Sequence, residues 1–331
     1  MTDRVGPLLG RLPAADEGSA ALVRARAEAT LRPSGALHRL DDVAVWLARW
    51  QRTSEPHVER PAAIVFVADH GVADEGVSAY PPQVTADVLR ALQEGVATAN
   101  AMARVLSVSL SVVDVGVGTP SGNLAHESAL SSDAFDECFT AGRRAVTDVD
   151  ADVLIVGEMG IGNTTAASAI CTALYGGPAE QWTGRGTGID EATYERKLRV
   201  VEAAVKRIAT VRDPLEILRE VGGFELAAIA GAVTEARLRS IPVLLDGFVV
   251  TAAAAVVDRV RPGALDHCFA GHRSSEPGHA LVLEKLGMQP LLDLDLRLGE
   301  GSGALAALGL VKLAAACVTD VATFEEWGLI Q

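Results

Sequence analysis

The chain has 331 residues, 49% of them hydrophobic and only 4% aromatic, and a formal net charge of −14. That length suits one large domain or two modest ones with a sizeable core, and the acidic balance argues against nucleic acid as a partner. An anionic ligand must therefore be met by local positive potential rather than by the field of the whole molecule. The four cysteines, Cys138, Cys171, Cys268 and Cys317, are far apart and form no C-x-x-C. Neither a zinc knuckle nor a disulfide framework is indicated, and reduced thiols in a cytoplasmic protein fit best. Asp3, Arg4 and Arg11 at the N-terminus, with no long apolar core, give no sign of a signal peptide. The longest apolar stretch, residues 241–257, contains Pro242, Asp246 and Gly247 and reads as strand plus helix, not a membrane span.

In chain order, the apolar spacing predicts helices over 20–30, with Ser19 as N-cap, and over 37–52. Pro56 and its charged neighbours suggest a boundary near residue 58. Residues 63–68 (AIVFVA) read as the first buried strand, ending in Asp69-His70-Gly71. A loop follows, and residues 84–104 read as one helix behind Pro81-Pro82. Residues 110–115 are the second strand, and 117–150 look irregular. The apolar run 153–156 is the third strand. Three glycines follow it, Gly157, Gly160 and Gly162, and then Asn163-Thr164-Thr165 and a helix over 166–174. Strand, glycine turn and helix start are the layout of a phosphate cradle, because glycine lets backbone approach a ligand and free N–H groups at a helix start attract an anion. The same glycines would also serve a tight packing turn. No lysine follows the last glycine, so the loop is not a P-loop.

Beyond a second glycine turn, Gly184 to Gly188, helices are expected over 192–210 and 225–239. Strands are expected over 242–245, 265–270 and 291–296, with helices over 250–260, 276–286 and 304–318. Strands alternating with helices imply a parallel α/β sheet with right-handed crossovers. Ligands of such sheets bind outside the carboxyl ends of the strands. Those ends are ADHG, DVG, GEMGIGNTT, LDGF, AGH and LRLGEGSG. All are glycine-rich and polar, and they converge on one site.

Within that site, Glu300 lies between two glycines after an apolar run. In an apolar pocket its pKa rises and it becomes a usable base; otherwise it is a solvated loop carboxylate. Asp246 could bind a ribose hydroxyl or cap the following helix. Lys197 could neutralise a phosphate or lie exposed on a helix surface. Tyr80 and Phe248 could wall a flat ligand or belong to the core. Asp69-His70 with His272 or His279 is a weak metal pattern, and a hydrogen-bonded structural histidine explains it better. No paired acids follow a buried strand as a pyrophosphate-activated ribose would require: VLLDGFVVT has one.

The segments ADHGVADEGVSAYPPQVT, VVDVGV, GEMGIGNTTAASAI, GRGTGID followed by Lys197, VGGFELAAIAGA, PVLLDGF and LRLGEGSGALAA together resemble one family. It is the nicotinate-nucleotide:dimethylbenzimidazole phosphoribosyltransferase family, which makes the lower ligand of cobalamin. The resemblance spans roughly residues 63–310 and implies phosphoribosyl transfer from nicotinate mononucleotide to a benzimidazole nitrogen, with inversion at the anomeric carbon and no metal or cofactor. It implies Glu300 as general base. It implies phosphate contacts at Gly160, Ile161, Gly162, Asn163, Thr164, Gly186, Lys197 and Gly247, beside which Asp246 is the ribose candidate already read from the residues. It implies a benzimidazole site at Tyr80 and Val88 and an active-site carboxylate at Glu158; with Phe248, the wall candidate read from the residues, these make the expected azole and nicotinate pocket. Tyr80 and Val88 stand where another branch of the family places small and amide residues, which bears on the preferred azole and not on the reaction class. The implied architecture is a Rossmann-like parallel sheet over 59–302, with a small helical domain from 1–58 and 303–331, in a homodimer. Two other readings stay open at this point: a different ribosyl-phosphate transferase on the same sheet, and a non-catalytic nucleotide-binding regulator, which would be expected to have lost Glu300.

Overall fold

A computed structural model describes residues 2–329. Helices α1 (Thr2–Leu9), α2 (Glu17–Ala29) and α3 (Arg39–Gln51) precede strand β1 (Pro61–Ala68) and a 3-10 turn at Gly71–Glu75. Then come α4 (Val84–Gln93), α5 (Thr98–Val105), β2 (Ser109–Gly116), α6 (Ser132–Thr147) and β3 (Val153–Met159). Helices α7 (Asn163–Tyr175), α8 (Ala179–Trp182), α9 (Glu191–Arg207), α10 (Pro214–Val221) and α11 (Phe224–Leu238) lead to β4 (Val243–Leu245). The chain ends with α12 (Phe248–Val260), β5 (Cys268–Ala270), β6 (His272–Arg273), α13 (Pro277–Leu286), β7 (Leu292–Asp293) and α14 (Ser302–Thr319).

Five parallel strands form the main sheet in the order β2-β1-β3-β4-β5. The chain moves outward from β1 to β2, then returns to the other side of β1 to build β3, β4 and β5. The direction of winding thus reverses between β1 and β3, and a crevice opens at their carboxyl ends. Alternate residues feed opposite faces, as the strand period of two requires. Ala62, Ile64 and Phe66 of β1 with Leu154 and Val156 of β3 pack under α6, α7 and α9 to α13. Ala63, Val65 and Val67 with Val153 and Ile155 pack under α2 to α5 and α14. The two ends of the chain meet on that second face: Thr30 bridges Thr323, and the Arg26 guanidinium donates to the Val318 carbonyl at 2.8 Å. Helix α3 is tied to the turn before β5 by its indole N–H groups, Trp46 to the His267 carbonyl (3.1 Å) and Trp50 to the Asp266 carbonyl (2.8 Å). Helix α14 is long and apolar enough to cross a membrane, but more than half of it is buried in this core. It is a core helix and does not point to a membrane span.

Five expectations need correction. The helix expected over 84–104 is two helices, α4 and α5, broken where Gly95 turns left-handed (φ 78°). The irregular stretch 117–150 contains the 16-residue helix α6, which crosses α11 so closely that a Cβ on Gly142 would collide with the Ala228 carbonyl oxygen. The fifth strand is only Cys268–Ala270, because residues 262–267 are turns. The sixth is reduced to Leu292–Asp293, paired with β6 outside the main sheet; Asp295 at φ 52° ends its extension. Asp16 rather than Ser19 caps α2, accepting the Ser19 N–H at 3.1 Å.

Candidate active site

The carboxyl ends of the strands enclose a cleft of about 300 Å³. Every residue that the sequence suggested for phosphate, ribose, azole or base lines it. Its two halves are built differently.

In the half beneath α7, strand β3 gives way to Gly160-Ile161-Gly162. A Cβ at Gly160 would fall 2.7 Å from the Ala68 carbonyl oxygen, and Gly162 has φ 101°, so both positions require glycine. The Ile161 N–H donates to the Thr85 hydroxyl (3.2 Å), the Asn163 N–H to the Gly160 carbonyl (3.2 Å) and the Thr165 N–H to the Gly162 carbonyl (2.9 Å). The loop's shape is thereby fixed, and the N–H groups of Gly162 and Thr164 have no protein acceptor among the described residues. Lys197 reaches in from α9 with its side chain fully buried, not on an exposed surface. Its ammonium donates to Thr164 Oγ1 and to the Gly184 carbonyl, both at 2.9 Å. Burial lowers its pKa, and the Glu276 charge opposes that shift. Gly186, at φ 55°, donates its N–H to Glu276 Oε1 at 2.7 Å. Glu276 was missed in the sequence; its one signal was its place in a polar segment, Arg273 to Glu276, after a strand end and before Pro277. Arg185, Thr187, Ser274 and Arg297 also line the cleft without having been singled out.

The other half is acidic. Gly299, Glu300 and Gly301 run consecutively left-handed, at φ 88°, 60° and 77°. A non-glycine residue there costs about 1–3 kcal/mol, a cost retained where surrounding structure imposes it. The Glu300 N–H donates to the Glu158 carbonyl at 2.9 Å, and the strap lies so close to β3 that a Cβ on Gly157 would collide with the Gly301 nitrogen. The Glu300 carboxylate accepts the Ala99 N–H (3.2 Å) in the first turn of α5. That donor is free because α4 and α5 are separate helices. Burial raises the Glu300 pKa, the Ala99 hydrogen bond opposes this, and the nearby Asp246 charge adds to it. Glu158 is more perturbed: burial, followed by the charges of Asp246 and Glu225, pushes its pKa up to about 8, while a hydrogen bond from the Asn163 amide pulls it down.

Asp246 does not cap α12. Its Oδ1 accepts the Ala304 N–H at 3.0 Å and so caps α14, with His272 Nε2 3.5 Å away. Its Oδ2 has no partner among the described residues. Gly247 lies beside it, and Phe248 behind it is buried. Tyr80 and Val88, from the loop before α4 and from α4 itself, border the opening, and half of Tyr80 is exposed. The histidines weighed as ligands have separate partners. His70 Nε2 lies 2.6 Å from Glu225 Oε1, fully buried beneath Gly160, and His279 is held by Ser274 and Thr251. Among the described residues no three His, Cys, Asp or Glu side chains are gathered for a cation.

Glycine loops and a buried lysine at one end, with buried carboxylates of raised pKa at the other, on the carboxyl edge of a doubly wound sheet, define a nucleotide-phosphate-handling enzyme. Known proteins narrow that class. A family model described as Phosphoribosyltransferase matches residues 12–329. The nicotinate-nucleotide–dimethylbenzimidazole phosphoribosyltransferase of Methylocella silvestris is 47% identical, over 98% of this chain and 95% of its own. The protein of that name from Cereibacter sphaeroides is 45% identical, over 97% and 95%. The crystal structure of CobT from Thermus thermophilus superposes with a TM-score of 0.91 at 42% identity, covering 95% of this chain and 99% of that one. The chain belongs to this phosphoribosyltransferase family.

Proposed function

We propose that the protein transfers the phosphoribosyl group of nicotinate mononucleotide to 5,6-dimethylbenzimidazole or a related azole, yielding α-ribazole 5′-phosphate and nicotinate. Nicotinate attached to ribose is a pyridinium and leaves with its bonding electrons as a neutral ring nitrogen. One azole nitrogen attacks the anomeric carbon from the opposite face, inverting it, while the other nitrogen loses its proton. The chemistry needs positioning and a base. Glu300 is that base, and the carrying observation is the contrast between the two buried acids. Glu158, with a pKa near 8, is mostly protonated at neutral pH and offers a donor. Glu300 is raised by burial yet held by the Ala99 N–H, which favours the ionised form that accepts a proton. The mononucleotide phosphate lies at the Gly160–Thr164 loop, Gly186 and Gly247, with Lys197 supplying charge beneath it. Asp246 faces the ribose, and Tyr80, Val88 and Phe248 border the azole and nicotinate. The relatives named above support the substrates.

Incubating the protein with nicotinate mononucleotide and 5,6-dimethylbenzimidazole should release nicotinate in step with α-ribazole 5′-phosphate. No nicotinate, or nicotinate without azole consumption, would sink the reading. We propose further that this is a cytoplasmic homodimer in which a helical unit of residues 1–58 and 303–331 packs at or near the interface, beside the catalytic unit of 59–302. Sedimentation at micromolar concentration should give twice the chain mass, and a monomer mass refutes it.

A further inference from the structure

The cleft holds three cationic side chains besides His272, and two of them are already engaged. Arg185 is bound to Glu191 and to the Ile189 carbonyl (3.2 Å) and covers the Tyr194 ring at 5.0 Å. Lys197 already donates to Thr164 and Gly184 from beneath the glycine loop. Arg297 has no hydrogen bond and no ion pair among the described residues, although the cleft also contains Glu158, Asp246, Glu276 and Glu300. Its backbone is nonetheless fixed. The Leu296 carbonyl on one side accepts the Ser275 N–H at 3.1 Å, and Glu300 on the other is tied to Glu158. From this strap the guanidinium reaches across the mouth, with Nη1 3.5 Å from the point where a Cβ on Gly188 would lie. Arg297 therefore links the glycine-loop half to the Glu300 half, three residues from the base.

A guanidinium held at the mouth of an acidic cleft, unpaired with any of its carboxylates, is available to a ligand anion, and its planar fork matches a carboxylate or phosphate in two parallel hydrogen bonds. We propose that Arg297 is the specificity arm of the site and recognises an anionic group of the mononucleotide. The assignment rests on the substrate reading above. That substrate carries two anions, the pyridine carboxylate and the phosphate. Recognition of the carboxylate would let the enzyme tell an acid-bearing ring from its uncharged carboxamide counterpart.

The test is calorimetric titration of the wild-type protein and of Arg297→Gln and Arg297→Lys with three probes: nicotinate mononucleotide, nicotinamide mononucleotide, which lacks the carboxylate, and nicotinate riboside, which lacks the phosphate. Arg297 is exposed, so neither change disturbs the core. If the arm grips the carboxylate, Arg297→Gln weakens nicotinate mononucleotide and nicotinate riboside about tenfold and leaves nicotinamide mononucleotide unchanged. If it grips the phosphate, both mononucleotides weaken and the riboside does not. Either pattern, with partial recovery in Arg297→Lys, supports the assignment. Equal effects on all three probes, or none, overturn it while leaving the substrate reading intact. Failure of the wild-type protein to bind nicotinate mononucleotide defeats that reading and the assignment together.

Discussion

At the α7 end of the cleft a buried lysine is held by two neutral oxygens, with Glu276 nearby, under a loop whose shape is set by its own hydrogen bonds. At the other end the buried groups are carboxyls: Glu158 at the end of β3, and Glu300 on a strap forced through three left-handed residues and pinned to that strand end. The first arrangement is rigid and suits an unreacting group that must only be held. The second places two acids side by side with unequal environments, which separates their protonation and suits proton transfer. The division of labour follows from what each end is packed against: helix starts and backbone carbonyls in one case, other carboxylates in the other.

The contrast is tested most severely at Glu300. Glu300→Gln keeps the shape and removes the proposed base, so turnover should fall about 10²–10⁴-fold with little change in mononucleotide affinity. Because burial raises the Glu300 pKa above the ordinary carboxylate value, wild-type activity should fall as pH drops through that raised value, where the acid becomes protonated. Steady-state kinetics across pH measure both. If Glu158→Gln stops turnover and Glu300→Gln does not, the two roles are exchanged.

Lys197 probes the other end. Lys197→Met fills similar space without charge, and losing a charge-assisted contact of about 1.5–3 kcal/mol should weaken mononucleotide binding about 10- to 100-fold. The expected signature is a higher KM with kcat affected much less. A fall in kcat at unchanged affinity would mean that both ends take part in the chemical step.

Glu158 gives a smaller effect, read in stability. Its folded pKa, about 8, lies above the 4.5 of an exposed glutamate. The folded state therefore binds more protons than the unfolded state between those values, and stability falls as pH rises through that window. Glu158→Gln removes the penalty. Denaturant melts should show the variant more stable than wild type by up to about 4 kcal/mol near pH 8, with the gain vanishing below the unfolded pKa. No gain at pH 8 would mean that Glu158 is ionised without cost, and the separation of the two acids would fail.

Much of this was legible because the sheet's strand ends carry their chemistry locally. The run 153–156 followed by glycines announces both β3 and its loop, and the GEG triplet announces a turn that only a special backbone adopts. What stayed hidden depends on pairing between distant segments. Helix α6 is amphipathic, burying Phe135, Phe139 and Val146, but Gly142 interrupts the pattern for a reason visible only once Ala228 is opposite it. The break between α4 and α5 rests on one left-handed glycine in a polar stretch, and its consequence, a free Ala99 N–H, concerns a carboxylate 201 positions away. Glu276 is likewise defined by Gly186, which it serves from 90 residues downstream. The alternating LDLDL stretch has strand period, yet both aspartates are exposed and only its first two residues, Leu292 and Asp293, find a partner, the two-residue strand β6.

The smallest expected effect concerns the border between the two ends. Tyr80 is half exposed at the mouth, in a loop that starts after β1 and therefore reaches the same edge as the loops after β3 and β4. Its backbone N–H donates to Ser78 Oγ at 3.2 Å, which shapes the turn, while no hydrogen bond to its own hydroxyl is found among the described residues. With the ring free of such a tether, the contribution we propose for it is apolar area facing an incoming flat azole. Apolar contact of one or two methyl groups is worth only about 1–3 kcal/mol, and partial exposure reduces that. Tyr80→Ser should accordingly change the ratio of rates between 5,6-dimethylbenzimidazole and unsubstituted benzimidazole by several-fold, with mononucleotide affinity unchanged. Competition between the two azoles in one reaction reads the ratio directly and cancels errors in enzyme concentration. A ratio equal to that of the wild type, with both rates lowered together, would make Tyr80 a support for the Gly71–Pro82 loop and leave azole choice to Val88 and Phe248.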